Sequence, residues 1–285
     1  MINHFKKSLT LAFAVTTGIF TFVPESFFEN YVWISQDYLK QCKLFSKIDA
    51  NSINVFISRF VCLGVVSILT LLVRAFFLKI RRWVTIKGQN YTIKVEYGNI
   101  LKKRKCKRVI NFDECFTTQV GENTAEVNPK SLCGQYLQVH PDLDVQQLIN
   151  DANIKPARSK SNYQQKTRYE SGTIVPNGTD LLMAFAKLDE NGKGRFFSRD
   201  EYVECLDLLW KELENYYAEN DVCIPILGSG TTVIDGGAGA SIPQQDLLDM
   251  IIWSYKLSSH KIKAPHKLCI VCRKNDDFSI NKINT

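Results

Sequence analysis

The sequence predicts an α/β domain built on a mixed sheet flanked by helices, preceded by a two-helix transmembrane hairpin. Three observations carry that expectation. From Trp83 onward, short apolar strands alternate with amphipathic helices. Before Trp83, two apolar stretches lack the polar face that a soluble surface helix needs. Between these regions lies a strongly basic band, so charge changes where hydropathy changes.

The first apolar stretch, Leu9 to Val23, is free of charge and follows Lys6 and Lys7. Thr21-Phe-Val-Pro-Glu-Ser26 offers no small-x-small cleavage site, which argues against a signal peptide. Phe27, Phe28, Tyr31 and Trp33 follow and suit an interfacial aromatic belt. The second stretch, Phe60 to Val73, is bracketed by Arg59 and Arg74, whose long side chains can reach toward headgroups. The expected spans are residues 8–28 and 55–78 within a segment 1–82, leaving 83–285 as the cytoplasmic body. Lys6 and Lys7 before the pair, and Lys79, Arg81, Arg82 and Lys87 after it, place both termini in the cytoplasm by the positive-inside rule. The expected location is therefore a cell inner membrane, crossed twice.

The formal charge of +7 invites a nucleic-acid reading, but its distribution argues against one. Residues 79–108 hold eleven Lys/Arg against Glu96 alone, whereas 109–285 carry a net acidic balance. The densest run, Lys102 to Arg108, lacks interleaved aromatic residues. It reads as a contact with an anionic leaflet or as a solvated hairpin edge.

Within the body, Trp83–Ile86 and Tyr91–Tyr97 read as a hairpin about Lys87–Asn90. Arg108–Phe112, Gly172–Val175 and Leu181–Phe185 are further strands. Residues 139–170 are polar and read as a long loop or partly mobile insertion. Asp189–Asp200 loosely imitates a calcium loop, but Lys193 occupies a ligand position and Asp200 replaces the closing glutamate. Ser198 to Tyr217 has helical periodicity behind a capping box, Ser198 with Glu201. Asp221–Leu227 is an apolar strand, Pro243–Leu257 an amphipathic helix, and Lys267–Cys272 a last strand. Nine cysteines, odd in number and without framework spacing, indicate a reduced compartment. Cys269 and Cys272 read as apolar strand residues rather than half a metal site.

The most informative segment is Ile224-Pro-Ile-Leu-Gly-Ser-Gly-Thr-Thr232. A buried strand runs into Gly228, Ser229, Gly230, Thr231 and Thr232, and a helix follows an Ala/Gly-rich connection at 235–240. Glycine lets backbone amides approach an anion beyond a strand's carboxyl end. The segment matches neither a Walker loop nor a dinucleotide fingerprint.

The order of these segments resembles a macro domain, the fold that binds ADP-ribose. Tyr97-Gly-Asn-Ile100 sits where such domains carry Gly-Asp-Ile, whose acid contacts adenine. Val109–Phe112 resembles the next strand with its asparagine, Asn111, and Leu132-Cys-Gly-Gln135 the first phosphate loop. Leu227 to Thr232 resembles the second loop. More narrowly, the N-terminal hairpin, Ser131–Gln135, Tyr169–Pro176 and the Leu-Gly-Ser-Gly turn resemble the membrane-anchored macro-domain effectors of type II Thoeris, a bacterial anti-phage system.

That resemblance implies a non-enzymatic sensor with no cofactor and no metal. A TIR-domain enzyme that consumes NAD makes an ADP-ribose-type, histidine-conjugated messenger. The macro domain binds it through Asn99, Ile100, Asn111, Leu132, Cys133, Gly134, Gln135, Leu227, Gly228, Ser229, Gly230, Thr231 and Thr232. The hairpins then assemble as a homo-oligomer, disrupt the lipid bilayer and abort the infection. Asn99 replaces the usual acid, and Asn111 is followed by Phe-Asp-Glu rather than Ala-Ala-Asn. Both departures favour binding over hydrolysis. The alternative is a membrane-tethered ADP-ribosyl hydrolase using Asp113 or Glu114 as base, against which both acids read as solvated loop residues.

Overall fold

The computed structural model describes residues 2–41, 49–196, 198–230, 232–234, 242–274 and 278–283. The chain divides into two compact units, Met1–Arg81 and Arg82–Thr285.

The N-terminal unit contains helices α1 (Ile2–Phe22), α2 (Glu25–Glu29), α3 (Gln36–Gln41) and α4 (Ala50–Ile80). The expected first span over 8–28 is broken. Pro24 disfavours helical backbone in the residue before it, so α1 stops at Phe22 and a short α2 restarts behind Pro24. Helix α4 begins earlier than expected because the Asp49 carboxylate accepts the Ser52 amide at 3.2 Å. Its 31 residues extend about 46 Å at 1.5 Å per residue. It is the one described helix long and apolar enough to cross a membrane, and α1 contributes the shorter apolar run Leu9–Phe22.

The connection between these helices docks on the first turns of α4. Asn54 Oδ1 accepts the Trp33 and Ile34 amides at 3.0 and 2.8 Å, and its Nδ2 donates to the Ile34 carbonyl. Trp33 Nε1 donates to Ser58 Oγ at 2.8 Å. Arg59 pairs with Glu25 and lies against the rings of Phe20 and Phe28.

The second unit is a mixed sheet between two helical layers. Its strands are β1 (Trp83–Lys87), β2 (Thr92–Tyr97), β3 (Cys106–Asp113), β4 (Ile174–Asn177), β5 (Asp180–Leu188), β6 (Gly194–Phe196), β7 (Asp221–Pro225), β8 (Val233–Ile234) and β9 (Leu268–Cys272). They run in the order β1-β2-β9-β7-β3-β5-β6-β8, with β4 antiparallel to β5. The five strands β2, β9, β7, β3 and β5 are mutually parallel, so their carboxyl ends share one edge. Helices α5 (Leu132–Val139) and α6 (Val145–Asp151) cover one face, and α7 (Arg199–Tyr216) and α8 (Gln244–Leu257) the other. Alternation along β5 divides the core. Leu181, Met183 and Phe185 pack toward α7 and α8, and Leu182 and Ala184 toward α5 and α6. The five residues of β9, Cys269 and Cys272 included, are all buried.

Two expectations are corrected. Residues 139–170 are not a structureless loop. They include α6, capped by the Asp144 carboxylate on the Gln147 amide at 2.9 Å. The remainder is pinned to the sheet by buried Glu114, which takes Ser161 Oγ at 2.5 Å, the Leu188 amide at 3.1 Å and Arg168 at 3.4 Å. The basic run 102–108 is not a hairpin edge either, because it leads into β3, an interior strand. Arg108 chelates Asp180 through Nε and Nη2 at 2.7 and 2.9 Å, and Lys103 pairs with Glu96. Lys102, Arg104 and Lys105 remain exposed.

Candidate functional site

The parallel edge carries a fork. β3 and β7 pair over Cys106–Arg108 and Asp221–Cys223 only. Beyond that, β3 stays with β5 and β7 with β9. Pro225 contributes to the separation, since a proline in a strand has no N–H to offer a neighbour. A cleft of about 320 Å³ opens in the gap, with Asn111 on one wall and Pro225 and Ile226 on the other.

The glycine turn forms the rim of this cleft. Gly228 has φ 82°, a left-handed conformation that a side chain would strain. A Cβ there would also lie 2.9 Å from Ile234 Cδ1. Ser229 folds back so that its hydroxyl donates to the Ile226 carbonyl at 2.7 Å. The turn is held from beneath by fully buried Tyr202 of α7, whose hydroxyl donates to the Leu227 carbonyl at 3.0 Å.

Two helix N-termini meet the same cleft. Ser131 caps α5 by accepting the Gly134 amide at 2.9 Å, and both Ser131 and Leu132 line the wall. Gln244, the first residue of α8, lines it as well. Both ends present the positive pole of their peptide dipoles. The described lining contains the cations Lys130 and Arg273 and no Asp or Glu. Local potential is therefore positive although residues 109–285 carry a net acidic balance.

The structure brings Asn99, Ile100, Asn111, Leu132, Gly228, Ser229, Gly230 and Thr232 to this one cleft. Asn99 caps a short 3-10 turn, its Oδ1 accepting the Leu101 amide at 2.9 Å. Four other predicted residues stand back from it. Cys133 lines a neighbouring cavity, and Gly134 packs so closely under Asn128 that a Cβ would sit 2.2 Å from its carbonyl oxygen. Gln135 donates to the Lys130 carbonyl, and Leu227 is buried with its carbonyl taken by Tyr202. Leu132–Gln135 is thus the first turn of a helix rather than a loop. Thr231 and the connection at 235–240 lie outside the described residues.

Sequence reasoning missed Asn128, Lys130, Ser131, Gln244 and Arg273 as lining residues. Asn128-Pro-Lys-Ser131 carried a usable signal, a turn ending in a serine N-cap. Gln244 and Arg273 carried none, because only the sheet's strand order brings them here.

The neighbouring cavity, about 420 Å³, shares Asn111, Asn128, Ser131 and Thr232 with the first. Asp113 lines it and is not a solvated loop acid. Its Oδ1 accepts the Cys115 and Thr117 amides at 2.8 and 3.2 Å. Burial pushes its carboxyl above the usual aspartate range despite those donors. Glu114 is not solvated either, being 2% exposed and enclosed by its partners.

Residues 93–273 match the model of the family described as Thoeris protein ThsA, Macro domain. The Thoeris protein ThsA of Bacillus amyloliquefaciens (strain Y2) is 28% identical over 248 residues, covering 83% of this chain and 80% of that protein. Among solved structures, the Oceanobacillus iheyensis macrodomain with ADP has 9% identity and a TM-score of 0.40, covering 68% of this chain and 90% of its own. The same macrodomain with MES bound has 10% identity and a TM-score of 0.37, at 68% and 90% coverage.

Proposed function

The chain belongs to the Thoeris ThsA macro-domain family, and from that premise we propose that residues 83–285 are a cytoplasmic sensor of an ADP-ribose-type messenger. The carrying observation is the cleft at the β3–β7 fork. It combines a glycine turn, two helix N-termini and two cations without an opposing carboxylate. A diphosphate is the group that such backbone amides and dipoles hold best. The cavity volume falls in the range of small-molecule sites, about 300–1,000 Å³.

The anti-phage role comes with the family. In this proposal a TIR-domain partner consumes NAD and supplies the messenger, an ADP-ribose derivative conjugated to histidine. Bound messenger favours an assembled state in which the helices of residues 1–82 disrupt the inner membrane and abort infection. A ligand drives such a change only through its preference for that state. The aromatic group Phe27, Tyr31 and Trp33, each about half exposed, suits a lipid interface. On this reading the protein is a homo-oligomer when active, with both termini cytoplasmic and no catalytic residue.

Calorimetry on the detergent-solubilised full-length chain tests the first step. ADP-ribose is expected to bind at micromolar to submillimolar concentration, and absence of heat at millimolar ligand sinks the proposal.

One observation favours the hydrolase alternative: Asp113, a carboxyl with a raised proton affinity, lines the cavity adjoining the cleft. Release of ADP-ribose from a modified peptide, abolished by Asp113→Asn, would establish it.

A further inference from the structure

We infer that Cys106 and Cys223 are a thiol pair that a hydroperoxide converts into a reversible disulfide across the foot of the β3–β7 fork. The inference stands apart from what the cleft binds. Cys106 opens β3, and Cys223 lies on β7 within the short stretch where those two strands still pair. The Cys223 thiol donates to Cys106 Sγ at 3.1 Å. Cys269 of β9 is the register partner of Cys223, and Ile100 and Val271 pack with the three cysteines in one buried cluster. All three are free thiols, as a reduced compartment keeps them.

The three sulfurs are not equivalent. Cys106 is 7% exposed, against 2% for Cys223 and 4% for Cys269, so it is the most open to a small oxidant. The hydrogen bond from Cys223 holds the Cys106 thiol below its usual range, against burial and the Asp221 charge, and Arg108 and Lys103 lower it further. Cys223 is pushed the opposite way, because its thiol is the donor to Cys106. Cys106 is therefore the attacking sulfur and Cys223 the resolving one. The Cys106 thiolate attacks a peroxide oxygen, the O–O bond breaks, and the released hydroxide takes the thiol proton and leaves as water. Cys223 then attacks the sulfenic sulfur, its own proton leaving with that hydroxyl as a second water. Two thiols are oxidised by two electrons and one hydroperoxide is reduced. The bonded sulfurs close to about 2.0 Å. Lys105, at φ 60°, turns the chain into Cys106, so that approach falls on a strand end. The bond joins the strand of Asn111 to the strand of Pro225, which makes the two cleft walls one covalent unit. Ile100 and Val271, packed on the sulfurs, also line the cleft.

The test treats the detergent-solubilised full-length wild type with a few equivalents of hydrogen peroxide, alkylates the remaining thiols and maps the peptides by mass spectrometry without reduction. The expected product is a Cys106–Cys223 cross-linked peptide, lighter by two hydrogens and lost on treatment with dithiothreitol. In Cys223→Ala, Cys106 is expected to stop at the sulfenic acid and be trapped by dimedone, whereas Cys106→Ala leaves Cys223 unlabelled. A bridge from Cys223 to Cys269, or Cys106 and Cys223 both recovered as alkylated thiols, would overturn the inference. Cys106 carried on to the sulfinic acid without a bridge would overturn it as well, since Cys223 would then not resolve it.

Discussion

The Tyr202 hydroxyl donates to the Leu227 carbonyl at 3.0 Å, tying the inner face of α7 to the residue that enters the glycine turn. Tyr202 is wholly buried among Phe185 and Phe196, so its ring position is set by packing. Tyr202→Phe keeps that packing and leaves the Leu227 carbonyl without its donor. An orphaned buried acceptor costs about 1–3 kcal/mol. The expected result is a lower urea midpoint at unchanged m-value, with weaker ADP-ribose binding because the turn loses its anchor. An unchanged midpoint would show that the carbonyl finds another donor.

Gly228 and Gly230 separate folding from binding. Gly228→Ala forces a side chain onto φ 82° and against Ile234, so stability and ligand binding both fall, stability by about 1–2 kcal/mol. At Gly230 a Cβ meets nothing within 4 Å, and Gly230→Ala is expected to leave thermal stability nearly unchanged. If the diphosphate approaches this backbone closely, Gly230→Ala still weakens ADP-ribose binding. Equal affinity to wild type would place the ligand away from Gly230.

Asp180 begins β5 and is 7% exposed, with Arg108 chelating both its oxygens at 2.7 and 2.9 Å. Such a pair adds little over an apolar replacement, but removing Asp180 strands the partly buried charge of Arg108, whose side chain is 19% exposed. Asp180→Asn is therefore expected to destabilise by about 2–4 kcal/mol, as read by chemical denaturation. A loss below half of the lower figure would mean that Arg108 reaches solvent or the Leu101 carbonyl, which already accepts from it at 3.0 Å.

How much of this was legible depended on how local each cause was. The periodicity of Tyr202, Leu206, Leu209, Trp210 and Leu213 announced α7, and Ser198 caps it by accepting the Glu201 amide at 3.2 Å. The all-apolar run at 268–272 announced β9. α5 was read as a loop because Gly134 sits in its first turn, where glycine signals a turn unless the neighbouring backbone is known to leave no room. The fold of 157–170 rests on Ser161 and Arg168 meeting Glu114, contacts spanning 47 and 54 positions that no local pattern encodes. The glycine turn was legible because strand, glycine and hydroxyl residues are contiguous. The opposite walls of the cleft, Arg273 and Gln244, arrive through strand order and helix placement alone.

Asp113 makes stability depend on pH in a direction opposite to that of a salt-bridged acid. Its folded-state proton affinity is raised, first by burial and further by neighbouring Glu114, against the donors at Cys115 and Thr117. The unfolded chain has the ordinary aspartate value of about 3.9. A folded value above that means that the native state binds the proton more tightly, so this group favours folding at low pH. That contribution is lost as pH rises from the unfolded value through the folded one, because the native carboxylate must then ionise within the protein. Asp113→Asn keeps an oxygen to accept the two amides and never ionises. The variant is therefore expected to be more stable than wild type at pH 7, with the difference shrinking toward pH 4. Paired denaturation curves across that range check it. A variant less stable than wild type at neutral pH would mean that the ionised carboxylate holds the Cys115–Thr117 turn more strongly than burial opposes it. The same substitution removes the base that a hydrolase would need. Release of ADP-ribose from a modified peptide by wild type but not by Asp113→Asn would mark an enzyme, whereas ADP-ribose binding by both proteins with release by neither would mark a sensor.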